Sequence, residues 1–362
     1  MATDDPIPVF DGHNDTVLHL AIKEPGTEES FFTGREGGHL DLPRARAGGF
    51  AGGLFAMFVP TKGFKKEVRW REEGPGGPVK EKGWDVPLAG PVNQQRALNS
   101  VLTMMATLLR METMSEGELK IVRTHKQLVR ALEKRTLAVV MHMEGVEALT
   151  RSLDALPVLY EAGLRSLGPV WSRSNVFGHG VPFSFPASPD TGEGLTPAGS
   201  DLVRACNELG VMLDLSHMNE KGFWDVASLS RAPLVASHSG AHALCPSPRN
   251  LTDDQLKAIK ETGGIVGVNF ARAFVRRDGL GDENTSLTEI GNHVEYMADR
   301  IGVDHVGLGS DFDGTQLPQD LEDVSGLPRL LADLKGRGFK KKALRKIAHG
   351  NWLRVLKTTW RK

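Results

Sequence analysis

Histidines and carboxylates recur along the chain in short motifs able to hold a metal ion: His13 and Asp15 in FDGHND, Glu144 in HMEG, His217 in DLSH, His238 in ASHSG and Asp311 in GSDFDG. Three imidazoles and three carboxylates brought together without compensation would destabilise a fold, because like charges repel and buried polar groups lose their hydration. A cation resolves that conflict. Mixed nitrogen and oxygen donors suit zinc, with manganese or cobalt as alternatives. Six groups exceed the three protein ligands of a typical single catalytic zinc, so a two-metal site with a shared carboxylate fits the count.

These residues can meet only if the intervening chain positions them. Eight short β-rich apolar runs start at Pro8, Phe50, Thr136, Leu164, Val211, Pro233, Gly264 and His305. Helical periodicity follows over 92–111, 153–161, 197–209, 253–262, 287–300, 327–335 and 340–356, and Thr196 before Pro197 and Thr252 before Asp253 and Asp254 read as helix starts. This alternation is that of βα units around a parallel sheet. Eight units predict a (β/α)8 TIM barrel, one domain over 1–362, with long βα-loop insertions and extra C-terminal helices. In such a barrel catalytic groups collect where strands end. His13 and Asp15 close the first run, Glu144 the third, His217 the fifth, His238 the sixth and Asp311 the eighth. Residues two apart on a strand share a face, so His13 and Asp15 both point into the barrel mouth. Two insertions, 61–91 and 177–194, lack periodicity and follow strand ends, so both are expected to overhang that mouth.

Composition narrows the partners. Lys+Arg 44 against Asp+Glu 45 gives a net charge of −1, no footprint for nucleic acid or an acidic membrane. With 40% hydrophobic and 25% charged residues the chain is globular, neither disordered nor collagen-like. Two cysteines, Cys206 and Cys245, make no disulfide framework. The acidic start MATDDPIPVF is no secretory signal, and no run approaches the roughly 18 apolar residues of a membrane span. A soluble, cytoplasmic protein is expected.

Taken together with SHSGAHALCPSPRN at 237–250, the five motifs resemble the zinc-dependent dipeptidases of the renal (membrane) dipeptidase family, and the likeness extends to NWLRVL at 351–356. The resemblance implies a (β/α)8 barrel with two Zn2+ ions, one held by His13, Asp15 and Glu144 and the other by Glu144, His217 and His238, with Glu144 bridging. It implies that Asp311 is the acid/base and that Arg249 grips the substrate's C-terminal carboxylate, a task its planar fork suits. The implied reaction is hydrolysis of dipeptides, including those with a C-terminal D-residue, by a hydroxide between the metals. A homodimer is a further implication. Where mammalian members carry a histidine that polarises the scissile carbonyl, this chain has Trp171. Its indole can donate one N–H but cannot act as an acid; Arg173, His179 or a metal could take the task instead, leaving Trp171 as a wall of the substrate pocket. His142, Asp11 and Asp313 read as groups that support the ligands. Two other readings keep the same cluster: an N-acyl amino-acid deacylase, or a non-catalytic metal-binding barrel.

Overall fold

The computed structural model describes residues 7–63, 68–70 and 83–361. All eight apolar runs form parallel strands: β1 Val9–Asn14, β2 Phe50–Phe58, β3 Leu137–Glu144, β4 Leu164–Gly168, β5 Met212–Leu213, β6 Val235–Ser239, β7 Ile265–Val268 and β8 Val306–Leu308. Neighbours in sequence pair in space, and β8 returns to β1 through Asp11 opposite Leu308. Between β5 and β6 the ring closes only by an isolated bridge of Asp214 with Val235, where the Leu215 N–H donates to the Val235 carbonyl at 2.7 Å. The result is the expected TIM-type barrel, with its principal core between the strands and the surrounding helices.

Helix starts follow the capping signals. Thr196 accepts the Gly199 N–H ahead of helix Pro197–Leu209, and Thr252 forms a capping box with Gln255 ahead of Asp253–Glu261. The C-terminal segment expected as one helix over 340–356 is instead helix Lys341–Arg345, a wide π-type turn Lys346–Gly350 and helix Asn351–Thr359. That break sets Trp352 under the barrel, fully buried, with its indole N–H donating to the Leu308 carbonyl at 3.0 Å. A Cβ at Gly12 or Gly307 would stand 2.5 or 2.8 Å from the indole, so these strand positions admit only glycine. Helices His125–Glu133 and Glu220–Leu229, and a strand Leu119–Ile121 that pairs with β3, were not expected.

The insertions are not structureless. Arg69–Trp70, Trp84–Val86 and Phe183–Phe185 form a three-stranded antiparallel sheet in which Trp84 faces Phe185 and Val86 faces Phe183. Strands of two or three residues are too short to leave a periodic signal. Within the first insertion, residues 64–67 and 71–82 lie outside the described residues. Among the described residues no helix is long and apolar enough to cross a membrane.

Candidate metal centre and substrate pocket

The ends of five strands bring the six expected groups into one cluster, buried except for a partly exposed Asp311. Glu144 Oε1 lies 3.6 Å from His13 Nε2, 3.1 Å from His217 Nε2 and 3.4 Å from His238 Nε2. His13 Nε2 stands 3.8 Å from Asp15 Oδ2, and the Nε2 atoms of His217 and His238 are 3.1 Å apart. Donors bound at about 2.0–2.1 Å around a tetrahedral cation are separated by about 3.3 Å. The cluster has that spacing. Ligand-like groups with donor atoms within 4.8 Å of one another are Glu144, His217 and His238; His13, Asp15 and Asp311; and His13, Asp214 and His238. The first is the expected second-metal set. The next joins Asp311 to His13 and Asp15, whose link to Glu144 is the 3.6 Å contact of His13.

Both ring nitrogens of His13 and Oδ1 of Asp15 are buried without a hydrogen-bond partner. Each such atom costs about 1–3 kcal/mol unless something compensates. A divalent cation with nitrogen and oxygen ligands would supply the missing partner, so the residues fit the metal that the sequence implies. Titration points the same way. Burial pushes Glu144 up to about 8 and raises Asp311. For His13 burial opposes the charge, yet Glu144, Asp15 and Asp311 outweigh it and lift the ring to about 10. The cluster thus retains protons where a cation would neutralise it.

Local backbone shape aims these groups. His217 and Asp311 adopt left-handed φ values of 67° and 61°, a region non-glycine residues seldom enter. Asp311 N–H donates to the His13 carbonyl at 3.0 Å. A Cβ on Gly314 would stand 2.0 Å from Asp15 Oδ2 and 2.4 Å from Asp311 Oδ1, so the last glycine of GSDFDG makes room for both carboxylates.

Hydrogen bonds fix the side chains from behind. Ser172 Oγ lies 2.8 Å from His217 Nδ1, and Asn269 donates to Asp311 Oδ2 at 3.1 Å. Asp214 Oδ1 accepts the N–H groups of Ser216 and Ser237 at 3.0 and 2.7 Å, while its Oδ2 accepts the Ser237 hydroxyl at 2.5 Å. Ser237 Oγ is also 2.8 Å from His238 Nδ1. A hydroxyl has one proton. Since Ser237 gives it to Asp214, His238 must carry its own proton on Nδ1, leaving the Nε2 lone pair aimed at Glu144 and the cluster. Asp11 accepts from Ser310 N and Oγ at 2.7 and 2.8 Å, which holds the end of β8, and burial pushes its carboxyl up to about 7. Asp313 is engaged by Thr16 Oγ1 at 2.8 Å, Arg35 at 3.1 Å and His39 N–H at 2.6 Å. His142 Nδ1 meets Ser166 Oγ at 2.9 Å, and its ring stands edge-on to His13.

A cavity of about 250 Å³ opens over the cluster. Arg249, only 3% exposed, lines it; one Nη donates to the His238 carbonyl at 3.1 Å, and its Nε has no partner. Trp171 packs on Phe58, Phe183 and His217 with ring centroids 4.8, 5.5 and 5.7 Å apart, so it forms a wall of that cavity. Arg173 is fully buried and paired with Glu147 at 2.7 Å, and His179 meets Ser174 Oγ at 2.8 Å; neither lines the cavity. Phe58, Phe183, Phe274 and Lys23 line it without having been foreseen. Both cysteines are buried, with burial raising the Cys206 thiol and pushing Cys245 up to about 12, so neither is a nucleophile.

Known proteins resemble this chain over most of its length. A metallopeptidase of Rhodobacter sphaeroides, solved with a phosphinate mimic of the dipeptide L-Ala-D-Ala, superposes with a TM-score of 0.91 at 47% identity, covering 98% of this chain and 100% of that one. A Schizosaccharomyces pombe protein described as an uncharacterised dipeptidase is 30% identical over 97% of this chain and 81% of its own length. A Klebsiella pneumoniae protein, described only by its place in the pqqA 5′ region, is 50% identical over 71% of this chain and 94% of its own length. The profile of the membrane dipeptidase family, Peptidase family M19, matches residues 3–361, and the chain belongs to that family.

Proposed function

We propose that this protein is a dipeptidase working with two divalent cations, zinc being best suited to the donor set. Glu144, His217 and His238 would hold one, and His13 and Asp15 together with Glu144 the other. The observation that carries this reading is the single oxygen Glu144 Oε1 within 3.1–3.6 Å of three imidazole nitrogens. When bound, the cations supply Lewis-acid activation of water and of the scissile carbonyl.

The chain's own residues do the rest. Arg249 receives the C-terminal carboxylate of the substrate, which restricts cleavage to the bond next to a free C-terminus. Asp311 takes a proton from the attacking water and returns it to the leaving amine. Asn269 pins its Oδ2, which leaves Oδ1 for that exchange. Trp171, Phe58 and Phe183 exclude water and bound the side-chain space. Acceptance of a D-residue at the C-terminal position is supported by the L-Ala-D-Ala mimic held by the Rhodobacter sphaeroides relative.

Metal-reconstituted enzyme is expected to hydrolyse Ala-Ala dipeptides and to leave their N-acetylated forms intact. Chelation abolishes turnover, and Asp311→Asn lowers kcat by about 10²–10⁴. Equal cleavage of the N-acetylated substrate would instead identify a deacylase, and activity that survives both chelation and Asp311→Asn would overturn the mechanism.

A further inference from the structure

A second cavity of about 570 Å³ adjoins the catalytic one. The two share Lys23, Phe183, Phe274, Asp313, Gly314 and Thr315 along a common edge. The catalytic cavity, at about 250 Å³, falls below the roughly 300–1,000 Å³ usual for small-molecule pockets, so a long substrate side chain must find room elsewhere. Gly314, shared by the two cavities, packs against Asp15 and Asp311, the edge at which the amino end would lie with the C-terminal carboxylate on Arg249 and the scissile carbonyl at the cluster, while Phe274, also shared, lies beneath the Arg249 guanidinium. The second cavity opens at that edge.

Its chemistry is one-sided. Trp84, Phe183 and Phe274 give it an aromatic floor, and Lys23 and Arg272 line it with two cations. Among the described residues no carboxylate lies within ion-pair distance of either. Lys23 Nζ has only the His19 ring, whose Nε2 at 2.9 Å also faces the Asp313 carbonyl at 3.0 Å. Asp313 itself lines the cavity, but its carboxylate is already bound by Arg35, Thr16 and His39. Among the described residues the cavity thus offers two cations beside the substrate's first residue, Arg272 donating its Nε–H to the Leu317 carbonyl, and no carboxylate paired with either.

Building on the dipeptidase reading, we infer that this cavity is a subsite for the side chain of the N-terminal residue and that it selects a side chain ending in a carboxylate. Lys23 and Arg272 determine this specificity through charge, while the aromatic floor covers the methylene stem.

The test compares Glu-Ala with Gln-Ala, which differ at that terminal group alone, each with L- and D-alanine, on the metal-loaded enzyme. The expected kcat/KM ratio is roughly tenfold in favour of Glu, the scale of two partly exposed ion pairs. It falls toward one in the Lys23→Met/Arg272→Met double variant and below one in Lys23→Glu. A ratio taken on one preparation is unaffected by the folded fraction. A ratio near one in the native enzyme, or one that persists in the double variant, overturns the subsite while leaving the dipeptidase reading intact. Failure to cleave Gln-Ala, Glu-Ala and Ala-Ala alike overturns both.

Discussion

Replacing Asp214 by asparagine should turn the proton on His238 to the wrong nitrogen. Asp214 Oδ1 holds two backbone N–H groups, from Ser216 and Ser237, so in the Asp214→Asn variant that position must remain the carbonyl oxygen. The amide NH2 then occupies the place of Oδ2 and donates to Ser237 Oγ, which now faces a donor instead of an acceptor. The Ser237 proton swings to His238 Nδ1, 2.8 Å away, and the imidazole keeps its own proton on Nε2, the atom that faces Glu144. Binding a cation then requires breaking this arrangement and leaving one buried group unsatisfied, at about 1–3 kcal/mol, or about 5–150-fold in affinity. Ser237→Ala only removes the orienting partner and should cost about tenfold, the low end of what such supporting contacts contribute. Zinc affinity is read by competition with a chromogenic chelator, and the tautomer by the 15N shifts of His238 in metal-free protein. An Asp214→Asn variant that binds zinc as the native chain does, or a native His238 protonated on Nε2, would refute the proton assignment.

Three further outcomes follow from the geometry. Gly314→Ala drives a Cβ into Asp15 and Asp311, and zinc affinity should fall by at least tenfold while urea stability changes little; equal affinity would show that the two carboxylates can shift freely. Trp352→Ala empties the floor of the barrel and should cost about 3–5 kcal/mol in urea unfolding, and a loss below about 1 kcal/mol would mean that the site collapses without penalty. His293 accepts the Ala241 N–H at 2.9 Å and donates to the Val275 carbonyl at 3.0 Å, and burial pushes it down to about 4 from 6.5. The unfolded chain binds this proton first, so the native form keeps its full stability above pH 6.5 and loses about 3 kcal/mol as pH falls through 4. His293→Gln should flatten that part of the stability profile, and an unchanged slope would locate the pH dependence elsewhere.

The candidate metal cluster was legible because metal ligation demands scarce residue types, and the eight-fold alternation placed these at strand ends. Phe58, Phe183 and Phe274 were not, since an apolar side chain leaves the same mark whether it fills a core or walls a cavity. Phe183 adds a second obstacle: its strand exists only by pairing with Trp84–Val86, nearly a hundred residues earlier, and local periodicity carries no trace of so distant a partner. Trp352 likewise reads as one more helix residue, although the glycines at 12 and 307 that accommodate it are visible in the strands.

Asp214 is the most instructive case, because it stood in a recognised motif, DLSH, with no role that sequence could assign. Its importance lies across the seam between β5 and β6, where the barrel has one isolated bridge instead of a regular ladder. The backbone bridge of Asp214 with Val235 closes the ring there, and its carboxylate reaches further along β6 to Ser237. His217 and His238, contributed from opposite sides of that seam, owe their 3.1 Å separation in part to this side chain. A ladder could have joined the strands, but it could not have chosen the tautomer of His238. Where the sheet is joined by a single bridge, a buried carboxylate links the strands and also aims an imidazole at the candidate metal centre.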